Sequence, residues 1–192
     1  RDDTGSRGLE MCIRDRFHCV LKHWWMRGLK EEKKLVSDDE ESAIKMFKKK
    51  LRWDKNEKWF DRDGVGLLFY AAVSNEVHVV EELLKVLKRD FAGVEYTTRL
   101  ESRLRDEGYT ALGVPGGTTT LMAAMMVASP EVVLMLLESG ANVESVDVMG
   151  NDGFMLASAF GRAKNLQCWL ERDKDWDLSR QNTVLGGCAI AL

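Results

Sequence analysis

The chain has 192 residues, enough for one ordinary domain, and its balance of 45% hydrophobic and 31% charged residues is that of a globular rather than a disordered chain. A formal net charge of −3 argues against a general attraction to nucleic acid or an anionic membrane. The longest uncharged apolar stretch, Leu121 to Ser129, is about half the length a bilayer span requires, so no membrane span is expected.

Taken in order, the segment Arg1 to Arg16 lacks the apolar core of a signal peptide. Met11-Cys12-Ile13-Arg14-Asp15-Arg16 resembles a translated sequencing-adapter fragment, and residues 1–16 are read as an artefact or a disordered leader. Residues 17–60 read as a charged helical leader. Ser37-Asp38-Asp39-Glu40 is a capping-box pattern, followed by Ile44, Phe47 and Leu51 on one helical face. Acidic residues come first and Lys45, Lys48, Lys49, Lys50 and Arg52 last, the order that the helix dipole favours. That order accounts for the lysines as a solvated face; the competing reading is a nucleic-acid patch with Trp53 and Trp59 as stacking surfaces.

From residue 61 the chain becomes repetitive. Gly117, Leu121, Ala124, Val132, Val133 and Leu137 recur as Gly150, Phe154, Ala157, Asn165, Leu166 and Leu170, each displaced by 33 residues. A fixed period of this length marks one supersecondary unit stacked on its own copies. In the unit, Thr120 begins a short apolar helix, Ser129-Pro130 caps and starts a second, and Gly140 suits the left-handed turn that ends it. Helices of about two turns do not persist alone in water, so neighbours must hold them. Leu68, Ala71, Ala72, Val79, Val80, Leu83 and Leu84 fall at the same offsets in an earlier unit. Leu68 and Leu121 are 53 residues apart, one period plus 20, which requires an insertion. Within it Thr98-Arg99-Leu100-Glu101 is a second capping box, Leu100 and Leu104 share a face, and Gly108 could stop the helix.

These residues resemble the ankyrin repeats. Gly117-Thr118-Thr119-Thr120-Leu121-Met122-Ala123-Ala124 is similar to the family's first-helix pattern, with Thr for Pro and Met for His. Val132-Val133-Leu134-Met135-Leu136-Leu137-Glu138-Ser139-Gly140-Ala141-Asn142 is similar to its second helix and following turn. The next unit keeps Asp147-x-x-Gly150, Ala157 and Gly161 but carries Asp152-Gly153-Phe154-Met155 in place of the usual opening. The resemblance implies an all-α fold: an ankyrin-type α-solenoid of helix-turn-helix repeats with a helical N-terminal leader and one insertion. Its array covers 61–192, with repeats at about 61–87, 114–146 and 147–175, a partial unit at 176–192 and an insertion at 88–113. Gly186, Gly187, Ala189 and Leu192 resemble the start of a fourth unit, so the chain is expected to be a fragment that frays from Val184 onward.

The resemblance also implies a binding surface, since ankyrin proteins usually bind through a concave face of hairpin tips and first-helix positions. Carried across, these are Arg62, Asp63, Val65, Val73 and Ser74 in the first unit and Pro115, Thr118, Met126 and Val127 in the second. In the third they are Val148, Met149, Asn151, Ala159 and Phe160. Several are apolar where a solvated face is polar, which marks either a partner site or positions covered by the insertion or packed as core.

Chemistry-bearing patterns are few. Gly113 to Thr118 lacks the Lys of a phosphate loop, and Asp173, Asp175 and Asp177 are followed by Leu178 and Val184 where a calcium loop needs Gly and Glu. Cys12, His18, Cys19 and His23 fit no common zinc spacing, and His78, opening a helix, has an ordinary surface role. With Cys168 and Cys188, the four cysteines form no disulfide framework, which fits a reducing, intracellular and cytoplasmic setting. The expected function is that of an interaction scaffold that binds another protein, not an enzyme, with no cofactor or metal and no nucleic-acid partner. The alternative is the regulatory ankyrin segment of a larger, truncated enzyme or channel.

Overall fold

The computed structural model describes residues 40–51, 59–60, 65–104, 114–184 and 186–188. Among them lie eight helices, with isolated bridges in place of strands. These are α1 (Glu40–Lys50), α2 (Leu67–Val73), α3 (Val77–Asp90), α4 (Gly93–Leu100), α5 (Thr120–Val127), α6 (Pro130–Glu138), α7 (Gly153–Ala159) and α8 (Ala163–Arg172). The fold is all-α, and no helix among the described residues is long and apolar enough to cross a membrane.

Three hairpins, α2–α3, α5–α6 and α7–α8, lie side by side. Their first helices contact in the order α2, α5, α7 and their second helices in the order α3, α6, α8, which makes two layers. One apolar core runs between the layers. It takes Leu68, Ala71, Val80 and Leu84 from the first hairpin, Leu121, Ala124, Val133 and Leu137 from the second, and Phe154, Ala157 and Trp169 from the third. Leu121 and Phe154, one period apart, thus occupy the same core. Local geometry repeats with the residues. Thr119 and Asp152 are both N-caps whose side chains accept from the backbone N–H three residues on, and Gly117 and Gly150 both take positive φ, 73° and 79°. The replaced opening of the third unit therefore keeps its register, because Asp serves the cap as well as Thr.

Where the repeat stops repeating, side chains from one hairpin tie down the next. The Asn165 amide, buried where the previous unit has Val132, donates to the carbonyls of Met125 and Ala128, each at 3.1 Å. Arg162 donates to the carbonyls of Val127 and Ala128. Both satisfy acceptors that the C-terminus of α5 leaves open.

Several local expectations are corrected. Ser129 occupies the N-cap position of α6 without a side-chain cap; its N–H donates to Asn75 Oδ1 at 2.7 Å, and its hydroxyl is buried without a partner. Thr98 does not start a helix, because α4 begins at Gly93, whose φ of 57° only glycine adopts readily. Thr98 Oγ1 donates instead to the Val94 carbonyl one turn back. Leu100 and Leu104 do not share a face: the helix ends at Leu100, and the two leucines enter different clusters. Helix α3 runs on to Asp90, past the expected repeat end at 87.

In the leader, α1 contacts α3, with Phe47 buried and Ile44 and Leu51 packed against the core, while Lys45 and Lys49 face solvent. Trp59 packs edge-on against Phe91 at 5.5 Å, so its ring serves the core. Ser37, Arg52, Trp53 and Gly108 lie outside the described residues, as do 1–39 and 189–192.

Candidate interaction face

Helix α5 carries no charge, and its residues from Thr120 to Met126 are all buried. A helix apolar on every side must be covered on every side. Leu121, Ala124 and Met125 enter the main core, whereas Met122, Ala123 and Met126 enter a second cluster on the opposite side of the first-helix layer. That cluster also takes Val65 and Phe69 from the first unit and Leu156 from the third.

The insertion helps to build it. Residues 102–104 run beside the tip of the second unit: Leu104 N–H donates to the Thr118 carbonyl at 3.1 Å, Gly117 N–H to the Leu104 carbonyl at 3.0 Å, and Thr120 N–H to the Ser102 carbonyl at 3.1 Å. Ser102 Oγ accepts from Gly66 N–H at 2.6 Å, which joins the first unit to the insertion. Leu104 and Val114, at the two ends of the stretch 105–113, both bury side chains in the second cluster.

Around its rim lie Tyr70, Val73, Val127 and Phe160, each partly buried against it. Val127 and Phe160 are one period apart, and Ser74 holds the matching offset in the first unit with Val73 one residue before it, so three hairpins contribute neighbouring positions to one edge. Ala159 beside them is exposed, and Ser74 and Pro115 are half-buried. At the tips, Val148 is exposed, its N–H donating to the Gly116 carbonyl at 3.0 Å. Met149 is half-buried, its carbonyl accepting from Thr183 N–H at 3.2 Å.

Four residues assigned to the surface are buried, which corrects their reading. Val65 and Met126 are second-cluster core. Thr118 is buried with its hydroxyl donating to the Pro115 carbonyl at 2.7 Å. Asn151 is held in a buried polar network: its amide donates to Asp147 Oδ2 at 3.0 Å and its Oδ1 accepts from Asn182 at 2.9 Å. Arg62 and Asp63 lie outside the described residues.

The tip network supplies the ionisable groups nearest the third unit. Asp152 is buried at the N-terminus of α7, where it accepts from Met155 N–H at 2.8 Å and lies 3.7 Å from Arg180 Nε. Burial raises its pKa above the ordinary aspartate value, against the opposing pull of the Met155 N–H and Arg180. Glu101, accepting from Asn142 N–H at 2.7 Å, is likewise raised by burial first.

Tyr70, Phe69, Leu104 and Val114 were not singled out in the sequence as members of this face. The signal for Leu104 and Val114 was available: both are apolar residues bracketing a polar stretch of an insertion, where a purely solvated loop needs neither. Comparison of the chain with models of protein families and with curated proteins matches none.

Proposed function

We propose that the chain is an ankyrin-type repeat array that acts as a protein-interaction scaffold, meeting a partner protein along the edge formed by Val73, Val127, Ala159 and Phe160. One observation carries the reading: the ends of the first helices of three successive hairpins place Val73, Val127 and Phe160, all apolar, on the rim of one cluster. The partial burial of these residues supports it, because contiguous apolar surface on a folded chain commonly marks a contact site. The chemistry offered is apolar contact, flanked by the small side chains of Ser74 and Ala159. The matching partner is an apolar segment of another protein.

A photo-crosslinking residue at exposed Ala159 identifies the partner, and its purified form is then titrated against the chain. Val127→Glu and Ala159→Arg should each weaken binding about tenfold or more while shifting the thermal midpoint little, as expected of residues central to an interface. Met126→Glu is unsuitable, because it would place a charge inside the second cluster and unfold it. Failure of Ala159 to crosslink any protein, or an affinity unmoved by both variants, overturns the reading.

A further inference from the structure

Away from the interaction face, one turn of α3 carries His78, Glu81 and Glu82, and one ligand atom from each lies within 4.8 Å of the other two. Their spacing puts the three side chains on one side of the helix. His78 and Glu81 are exposed, at 44% and 48% of their side-chain surface, with Nδ1 and Oε2 3.9 Å apart. Glu82 is 3% exposed.

A cation is already gathered there. Lys85 Nζ lies 3.2 Å from Glu81 Oε1 and 2.8 Å from Glu82 Oε1. The other oxygen of the buried carboxylate, Glu82 Oε2, has no hydrogen-bond partner. An ammonium on one oxygen does not relieve the desolvation of the second, which stays unfavourable until a donor or a metal reaches it.

We propose that His78, Glu81 and Glu82 form a binding site for a zinc-type divalent cation, with the Lys85 ammonium as a competing internal occupant. Glu82 holds the ion through Oε2, which gives the orphan oxygen its partner. Glu81 and the His78 imidazole complete the protein ligands, and water takes the remaining position. One imidazole nitrogen beside carboxylates suits zinc, whereas magnesium and calcium prefer oxygen alone. Two ligands about 2.1 Å from a tetrahedral ion are about 3.4 Å apart, so the group must contract, and its two exposed members are the ones able to move. Lys85, half exposed, swings into solvent as the ion enters.

Zinc chloride is titrated into the full chain while the His78 ring resonances, assigned by their loss in His78→Ala, are followed by NMR. Following His78 separates this site from His18 and His23. The expected result is a saturable shift with zinc and none with magnesium. Lys85→Gln, which removes the competitor, should tighten binding about threefold. Glu81→Gln, at an exposed position, should weaken it about tenfold. Ring resonances unmoved by zinc in both the natural chain and Lys85→Gln overturn the site, as do equal affinities in those two proteins or an equal response to magnesium.

Discussion

The side-chain amide of Asn165, on α8, reaches the carbonyl of Met125, on α5, at 3.1 Å, and so joins two hairpins through a position that the preceding unit fills with Val132. The same nitrogen reaches the Ala128 carbonyl at 3.1 Å. Asn165→Val restores the apolar residue of the repeat but leaves the Met125 carbonyl without its donor in a buried place, while Ala128 keeps Arg162. It should destabilise the fold by about 1–3 kcal/mol despite matching the repeat. Urea denaturation checks this, and a variant as stable as the natural chain would mean that the amide does not hold the hairpins together.

Leu136 and Leu134 lie two residues apart on α6, the first fully buried and the second exposed. Leu136→Ala should cost about 2–5 kcal/mol, the sum of lost transfer energy and a residual cavity. Leu134→Ala should stay within about 0.5 kcal/mol. Equal losses in paired melts would contradict the placement of α6 in the layer of second helices, with Leu136 facing the core.

Gly66 takes an ordinary φ of −74°, so its need for glycine comes from contact alone. A Cβ there would stand 2.6 Å from Ser102 Oγ and 2.8 Å from its Cβ. Gly66→Ala should therefore destabilise by about 1–3 kcal/mol. Adding Ser102→Gly should recover part of the loss, since the second change removes the atoms that clash. A double variant no better than the single one would show that the insertion does not pack where residues 102–104 are placed.

What could be read from the chain, and what could not, divides along physical lines. The 33-residue spacing of Leu121 with Phe154 and of Ala124 with Ala157 was legible, because positions facing a shared core must repeat with the unit that builds it. The left-handed turn at Gly140 was legible for a similar reason, since few residues take positive φ without strain. The surface was harder. Val127 and Met126 are adjacent and both apolar, yet one is at the rim of the second cluster and the other inside it. Nothing in their periodicity separates the two, because α5 is covered on both sides and an all-apolar helix has no polar face to mark the direction of solvent. Met126 shares its cluster with Leu104, from an insertion whose path the repeat does not encode. Thr98 failed as a helix start because a capping pattern is local, whereas the position of α4 depends on Leu100 reaching the core and on Tyr96 donating to the Ser139 carbonyl at 2.7 Å.

Asp152 gives a pH dependence whose sign can be worked out. Burial raises its pKa in the folded chain above the ordinary aspartate value, against the smaller opposing effects of Met155 N–H and Arg180. The folded state therefore binds the proton more tightly than the unfolded state, and stability falls as pH rises wherever the folded state holds more protons. The contribution is fully present below the unfolded value of about 4 and is lost as pH rises through the folded pKa. Asp152→Asn keeps a side-chain oxygen for the Met155 N–H and removes the titration. The stability of the natural chain minus that of Asp152→Asn should thus decline from about pH 4 upward and level off once Asp152 is ionised. Denaturation midpoints across that range measure the difference directly. A difference that grows with pH would mean that Arg180, 3.7 Å away, outweighs burial in setting the charge of this helix cap.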